Sequence, residues 1–163
     1  MKFCYDHKIV PTRIVGDFDT LSPEILTWYK KNTQIEIREY NPVKDATDTQ
    51  IAVELALSLG SDHVTILGGT GTRLDHVLGN IQTLYLPFAK GIDCRIVDAH
   101  NRIRLVSGEL HLKMTEQWGK YVSLIPFTTD VEGVDLIGFK YPLEKFNFTV
   151  LGTGSRGVSN EIA

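Results

Sequence analysis

The sequence predicts an α/β domain followed by an all-β domain. In the first part, to about Ala99, β-like apolar runs alternate with stretches whose apolar residues recur at helical spacing. From about Asn101 the pattern changes to short strand-like runs separated by glycine-containing turns. Residues 1–99 therefore read as a Rossmann-like open sheet with flanking helices. Residues 100–163 read as a sandwich or barrel of short strands.

In chain order, Thr12-Arg13-Ile14-Val15 predicts a short strand ending at Gly16. Asp17 and Asp19 follow it, and as i and i+2 of an extended segment they are expected to point the same way. Ser22-Pro23-Glu24 starts a helix, with an N-cap, a proline at the first position and an acid in the first turn. Ile35–Tyr40 alternates as a strand, and Asn41-Pro42 breaks it. Thr47 is the expected N-cap of a helix from Asp48 to Leu59, with Gly60 as its stop. Asp45 lies just outside that helix, next to Lys44. His63–Leu67 predicts a buried strand emptying into Gly68-Gly69-Thr70-Gly71-Thr72, then Arg73-Leu74-Asp75-His76. Apolar spacing from Val77 to Phe88 predicts one continuous helix ending at Gly91, and Cys94–Asp98 another strand. Beyond it, strand-like runs cover Arg102–Val106, Leu110–Met114, Tyr121–Pro126, Val134–Phe139, Phe146–Leu151 and Val158–Ile162.

Composition narrows the function classes. The 163 residues are 42% hydrophobic and 23% charged, ordinary for a globular chain. A net charge of -3 gives no electrostatic footprint for nucleic acid. Cys4 and Cys94 form no CxxC pair, so neither a zinc site nor a disulfide framework is indicated and a reducing compartment fits. No apolar run approaches a membrane span and no signal-peptide core is present, so a cytoplasmic location is expected.

Three polar clusters follow strands, where open α/β sheets bind ligands. They are Asp17 and Asp19, then Lys44, Asp45 and Asp48, then the loop Gly68 to His76. Each has a plain structural reading: a polar turn, helix-capping electrostatics, a glycine turn. Together, so many carboxylates repel unless a cation neutralises them. Mg²⁺ bridging to nucleotide phosphates satisfies the acids, while Arg73 and Lys44 suit the outer phosphate oxygens. The glycine loop matches neither the P-loop nor the GxGxxG spacing. The residues alone thus point to Mg²⁺-dependent phosphoryl or pyrophosphoryl chemistry and leave the acceptor open.

The ordered segments Gly16-Asp17-Phe18-Asp19-Thr20, Lys44-Asp45-Ala46-Thr47-Asp48, Gly68 to His76 with Asn80-Ile81, and Gly157-Val158-Ser159-Asn160-Glu161 resemble the motifs of thiamine pyrophosphokinases. Tyr121-Val122-Ser123-Leu124-Ile125-Pro126 and Gly138 to Leu143 resemble bacterial members. The resemblance covers nearly the whole chain. It implies transfer of pyrophosphate from ATP to the hydroxyl of thiamine, giving thiamine diphosphate and AMP. It also implies a C-terminal β-sandwich and a homodimer with sites near the subunit interface. Residue by residue, it implies that Asp17, Asp19, Asp45 and Asp48 hold Mg²⁺ and act at the attacking hydroxyl. Lys44, Gly69, Thr70, Gly71, Arg73, Asp75 and His76 fall on the nucleotide side, and Ser159 and Asn160 face thiamine. Family members usually carry a preceding α/β segment with an Asp-Gly-Gly-type loop; its lack here predicts a shortened domain and an exposed sheet edge. Thr20, Val43 and Thr72 are mild departures from the usual Ser, acid and Gly. The competing functions are a Mg²⁺-dependent phosphohydrolase and a non-catalytic thiamine- or nucleotide-binding module.

Overall fold

Alternation in Thr12-Arg13-Ile14-Val15 buries every second residue, and the first core forms on that face. In the computed structural model, which describes residues 1–19, 21–40 and 46–163, helix α1 (Lys2–Asp6) precedes strand β1 (Arg13–Gly16). Ile14 and Gly16 are buried on β1. Helix α2 (Pro23–Asn32) follows, then strand β2 (Glu36–Glu39), which pairs in parallel with β1 so that Ile14 faces Ile37. Ile14, Ile25 and Tyr29 make a buried cluster, with Tyr5, Phe18, Leu21, Trp28, Ile35 and Ile37 packed around it. Tyr29 is fully buried, and its hydroxyl donates to the Ile9 carbonyl at 2.9 Å. Burial pushes that phenol above its ordinary pKa. The Trp28 ring meets Tyr29 edge-on at 4.9 Å.

Helix α3 (Asp48–Ser58) begins where Thr47 caps it: the Gln50 N–H donates to the Thr47 hydroxyl at 3.2 Å. Strand β3 (His63–Leu67) and helix α4 (Leu74–Thr83) follow. The single helix expected from Val77 to Phe88 is instead α4 and a short α5 (Tyr85–Phe88). Pro87 explains the break, since its ring crowds the carbonyl four residues earlier and it has no N–H to give. Thr83 also turns its hydroxyl back on the Gly79 carbonyl at 2.9 Å, a bond that bends helices. Strand β4 (Asp93–Val97) lies beside β3.

The chain divides into two compact units, Met1–Arg95 and Ile96–Ala163, the division falling inside β4. The second unit is β-rich. Strand β5 (Arg102–Ile103) pairs antiparallel with the end of β4, and a 3-10 turn occupies Met114–Glu116. Strands β6 (Tyr121–Leu124), β7 (Asp130–Leu136), β8 (Leu143–Thr149) and β9 (Val158–Glu161) complete it. β6 pairs with β9 and β7 with β8, both antiparallel. The strand expected at Leu110–Met114 does not form. Alternation there supplies a face but no neighbouring ladder, and a strand needs both. Among the described residues, no helix is long and apolar enough to cross a membrane.

Two substitutions test the packing and the helix cap of the first unit. Ile14→Ala should cost about 2–5 kcal/mol in urea unfolding, as expected for a buried aliphatic residue. Thr47→Ala should cost about 1 kcal/mol through the lost cap, and Thr47→Ser should restore most of it.

Candidate active site

β1 ends at Gly16, whose φ of 152° suits a residue without a side chain. A Cβ placed there would lie 3.0 Å from Asp48 Oδ2 and 3.4 Å from its Cγ. Glycine therefore leaves the gap into which the first-turn carboxylate of α3 descends. The Tyr40 N–H donates to the Gly16 carbonyl at 2.9 Å, so the segment after β2 reaches the same strand end. Asp17 is the next residue, half-buried. The structure thus brings Asp48 to the Gly16 end of β1, and Asp17 is the next residue of the chain.

Asp19 follows a different geometry from the extended one expected. The strand has stopped, and Phe18 sits at φ 59°, a left-handed conformation uncommon for an aromatic residue. The Asp19 N–H donates to Asp17 Oδ1 at 3.3 Å. Asp17 and Asp19 thus flank an Asx-type turn, and strand alternation does not align them. The Phe18 side chain packs on the Ile14 cluster, and that burial offsets the cost of its backbone. Asp19 itself is exposed.

Lys44, Asp45 and Thr20 lie outside the described residues. Among the described residues, no three His, Cys, Asp or Glu side chains form a metal-holding group. Asp48, at the place a Gly16 Cβ would fill, and Asp17, next to Gly16 in the chain, are hard oxygen donors. That donor set fits Mg²⁺, which takes one or two carboxylates and keeps water or phosphate for the rest of its shell. A hollow of about 270 Å³ lined by Thr47, Gln50, Gly79, Gln82, Thr83 and Leu86 contains none of these acids.

The glycine loop leaves β3 through Gly68 at φ 73°. Gly69 is buried, and its carbonyl accepts from Asn80 Nδ2 at 2.8 Å. Asn80, on α4, thus pins the loop to the helix that follows it. Asn80 stands out in the sequence through its motif, but its tie to Gly69 does not, because a long-range contact to a backbone carbonyl leaves no periodic trace. Thr70 is half-buried and Gly71 exposed. Arg73 occupies the N-cap position of α4, and its guanidinium forks onto Asp75, Nε to Oδ1 at 3.2 Å and Nη2 to Oδ2 at 2.6 Å. That fork holds the Asp75 carboxyl down at about 2 and raises the Arg73 pKa further. Both side chains are well exposed, and so is His76.

In the second unit the pairing of β6 with β9 sets Ser159 opposite Ser123 and Asn160 opposite Val122. Adjacent residues of a strand face opposite ways. Ser159 is exposed, whereas Asn160 is only 4% exposed. The Asn160 carboxamide is already engaged: Nδ2 donates to the Tyr141 carbonyl at 2.6 Å and Oδ1 accepts from the Tyr141 N–H at 3.1 Å. The structure therefore separates these two residues, one presented outward and one holding the strand.

Comparison with known proteins follows the same division. Residues 1–96 match the thiamin pyrophosphokinase catalytic domain, and residues 108–163 match the thiamin pyrophosphokinase vitamin B1 binding domain. The chain is 36% identical to the thiamine pyrophosphokinase of Bacillus subtilis (strain 168) over 158 residues, covering 96% of this chain and 72% of that protein. A rice thiamine pyrophosphokinase 1 (Oryza sativa subsp. japonica) is 27% identical over 154 residues, covering 87% of this chain and 56% of the rice protein. Among solved structures, the Bacillus subtilis thiamine pyrophosphokinase superposes with a TM-score of 0.83 at 32% identity, over 99% of this chain and 74% of that one. The thiamin pyrophosphokinase of Geobacillus thermodenitrificans gives 0.83 at 30% identity, over 99% and 73%. The paired domain matches in chain order, with a relative above a third identical across most of the sequence, establish that this chain belongs to the thiamine pyrophosphokinase family.

Proposed function

We propose that this protein transfers pyrophosphate from ATP to the hydroxyl of thiamine, giving thiamine diphosphate and AMP. The observation that carries the reading is the descent of the Asp48 carboxylate onto Gly16 beside Asp17, within the segment that matches the family's catalytic domain. In this reading the thiamine hydroxyl oxygen attacks the β-phosphorus of ATP. The bond from that phosphorus to the oxygen bridging it to the α-phosphate breaks, and AMP leaves with the electron pair. The hydroxyl proton passes to a carboxylate drawn from Asp17, Asp19, Asp45 and Asp48. When bound at Asp17 and Asp48, Mg²⁺ would neutralise phosphate charge and align the two reactants. Lys44 and Arg73 hold the outer phosphate oxygens, and the backbone of Gly69, Thr70 and Gly71 approaches them closely. Arg73 reaches a phosphate by exchanging its fork on Asp75 for a second planar acceptor, with His76 at the same helix start. Ser159 offers its hydroxyl to thiamine, and Asn160 holds the strand that carries it.

The wider reading is a Rossmann-like domain over residues 1–99, serving ATP and Mg²⁺, and a sandwich over residues 100–163, serving thiamine. It is supported by the β1–α2–β2 parallel unit and by the two antiparallel pairs of the second part. The protein works as a homodimer with its sites near the subunit interface, a reading supported by family membership. The free cysteines Cys4 and Cys94 suit the reducing cytoplasm.

The deciding experiment follows AMP from ATP with and without thiamine. AMP that appears only with thiamine supports the reading. AMP or phosphate release independent of thiamine would assign a phosphohydrolase, and thiamine binding without AMP a binding module. Asp17→Asn and Asp48→Asn should each lower kcat by at least about 100-fold, with a circular dichroism spectrum unchanged. Wild-type rates in both would remove the carboxylates from the mechanism. The Asp75→Asn variant loses the counter-charge that Arg73 must leave, so its KM for ATP should fall by about two- to fivefold. An unchanged KM would mean that the fork on Asp75 does not compete with phosphate. Because Arg73 depresses the Asp75 pKa to about 2, the pair holds above that value, and its contribution to folding is lost as pH falls through it. The wild-type KM for ATP should therefore show no Asp75 titration between pH 5 and pH 8.

A further inference from the structure

Strand β9 is held on both edges. Its β6 edge carries the antiparallel ladder from Tyr121–Glu161 to Leu124–Val158. On the other edge, the Lys140 N–H donates to the Glu161 carbonyl at 2.8 Å and the Ala163 N–H to the Gly138 carbonyl at 3.0 Å. The segments bearing Lys120 and Lys140 thus flank β9 on either side. Their ammonium groups converge on one carboxylate. Lys120 Nζ lies 3.0 Å from Glu161 Oε1 and Lys140 Nζ 2.9 Å from Glu161 Oε2. Each lysine also lies over the ring of its neighbour, Lys120 at 4.8 Å from Tyr121 and Lys140 at 5.6 Å from Tyr141. Glu161 is the most sheltered of the three charges, at 23% exposure against 60% and 54%.

Glu161 and Ser159 are i and i+2, so they share the outer face, while Asn160 faces inward onto Tyr141. The two side chains therefore fasten the strand from opposite faces. A slip of one residue would turn Ser159 inward and drive the Glu161 carboxylate into the apolar side with Val122 and Leu124. Asn160 alone fixes one neighbour, the 141 segment. Glu161 ties both neighbours at once, one through each oxygen.

We propose that Glu161 is a positioning residue: by bridging Lys120 and Lys140 it fixes the register of β9 and so places the Ser159 hydroxyl for thiamine. The role of Ser159 rests on the function proposed above. The bridge itself rests on geometry alone.

The test uses the full chain and compares Glu161→Gln, the Lys120→Ala/Lys140→Ala pair, and all three changes together. Glutamine keeps the shape of the side chain and the backbone pairing but removes the shared charge. The expected result is a thiamine KM raised about fivefold, with kcat and the ATP KM within about twofold of wild type. The double lysine variant should match it, and the triple variant should add nothing, because all three remove one linkage. Amide exchange at Lys140 and Ile162 should quicken in each variant, since both N–H groups bond across the edges of β9. A thiamine KM within twofold of wild type in Glu161→Gln would overturn the proposal. Equal rises in both KM values with a lowered Tm would also overturn it, as a merely structural loss. If the wild type makes no thiamine diphosphate, the functional reading has failed. Exchange then decides the bridge separately: unchanged rates at Lys140 and Ile162 overturn it, and faster rates uphold it.

Discussion

A carboxylate can pack against a strand backbone only where no side chain stands in the way, and the first unit depends on one such place. At Gly16 a Cβ would meet Asp48 Oδ2 at 3.0 Å. The φ of 152° there is one that other residues rarely adopt. The contact fixes how the start of α3 meets the end of β1. Thr47 supports it from one side by capping α3, and the buried Ile14 anchors β1 two residues before the gap. Phe18 supports it from the other side, accepting a left-handed backbone so that its ring reaches the Ile14 cluster. Folding stability is thus spent on a turn that sets Asp17 and Asp19 around an aromatic anchor.

The second unit solves a comparable problem by alternation. β9 carries Ser159 outward and Asn160 inward, and the inward residue is buried and doubly bonded to Tyr141. Through those two bonds its carboxamide ties the strand to the Tyr141 segment. Gly157, at φ 150°, lets the chain enter β9 so close to the Leu124 carbonyl that a Cβ would stand 2.8 Å away. In both units, then, a glycine permits a close approach within two residues of a polar residue proposed for the chemistry.

Much of this was legible in the sequence, for reasons that differ by element. The strand His63–Leu67 and the Thr47 cap announce themselves through local composition and both form, but the strand expected to be buried leaves His63, Thr65 and Leu67 exposed, because an apolar run does not say what covers it. The break between α4 and α5 was written in Pro87, but apolar spacing that continues through a proline reads as one helix. Leu110–Met114 had a strand's alternation and no partner, which periodicity cannot reveal. The candidate acids were legible as residue types after strands. Their geometry was not, because Asp17 and Asp19 are related by a positive-φ turn and Asp48 reaches β1 through space. The tie from Asn80 to Gly69 and the sharing of Glu161 by two lysines are long-range contacts of the same kind.

Family membership supplies the acceptor and the nucleotide, which acids and glycines alone leave open. The structure supplies the reason the acids stand where they do. We propose that the Gly16 gap serves the binding of one divalent cation by Asp17 and Asp48 at the phosphates. Crystals grown with Mn²⁺, a non-hydrolysable ATP analogue and thiamine would test it through the anomalous signal of the metal. A peak is expected within bonding distance, about 2.1 Å, of carboxylate oxygens from both Asp17 and Asp48. A peak on the phosphates that touches neither carboxylate would contradict it.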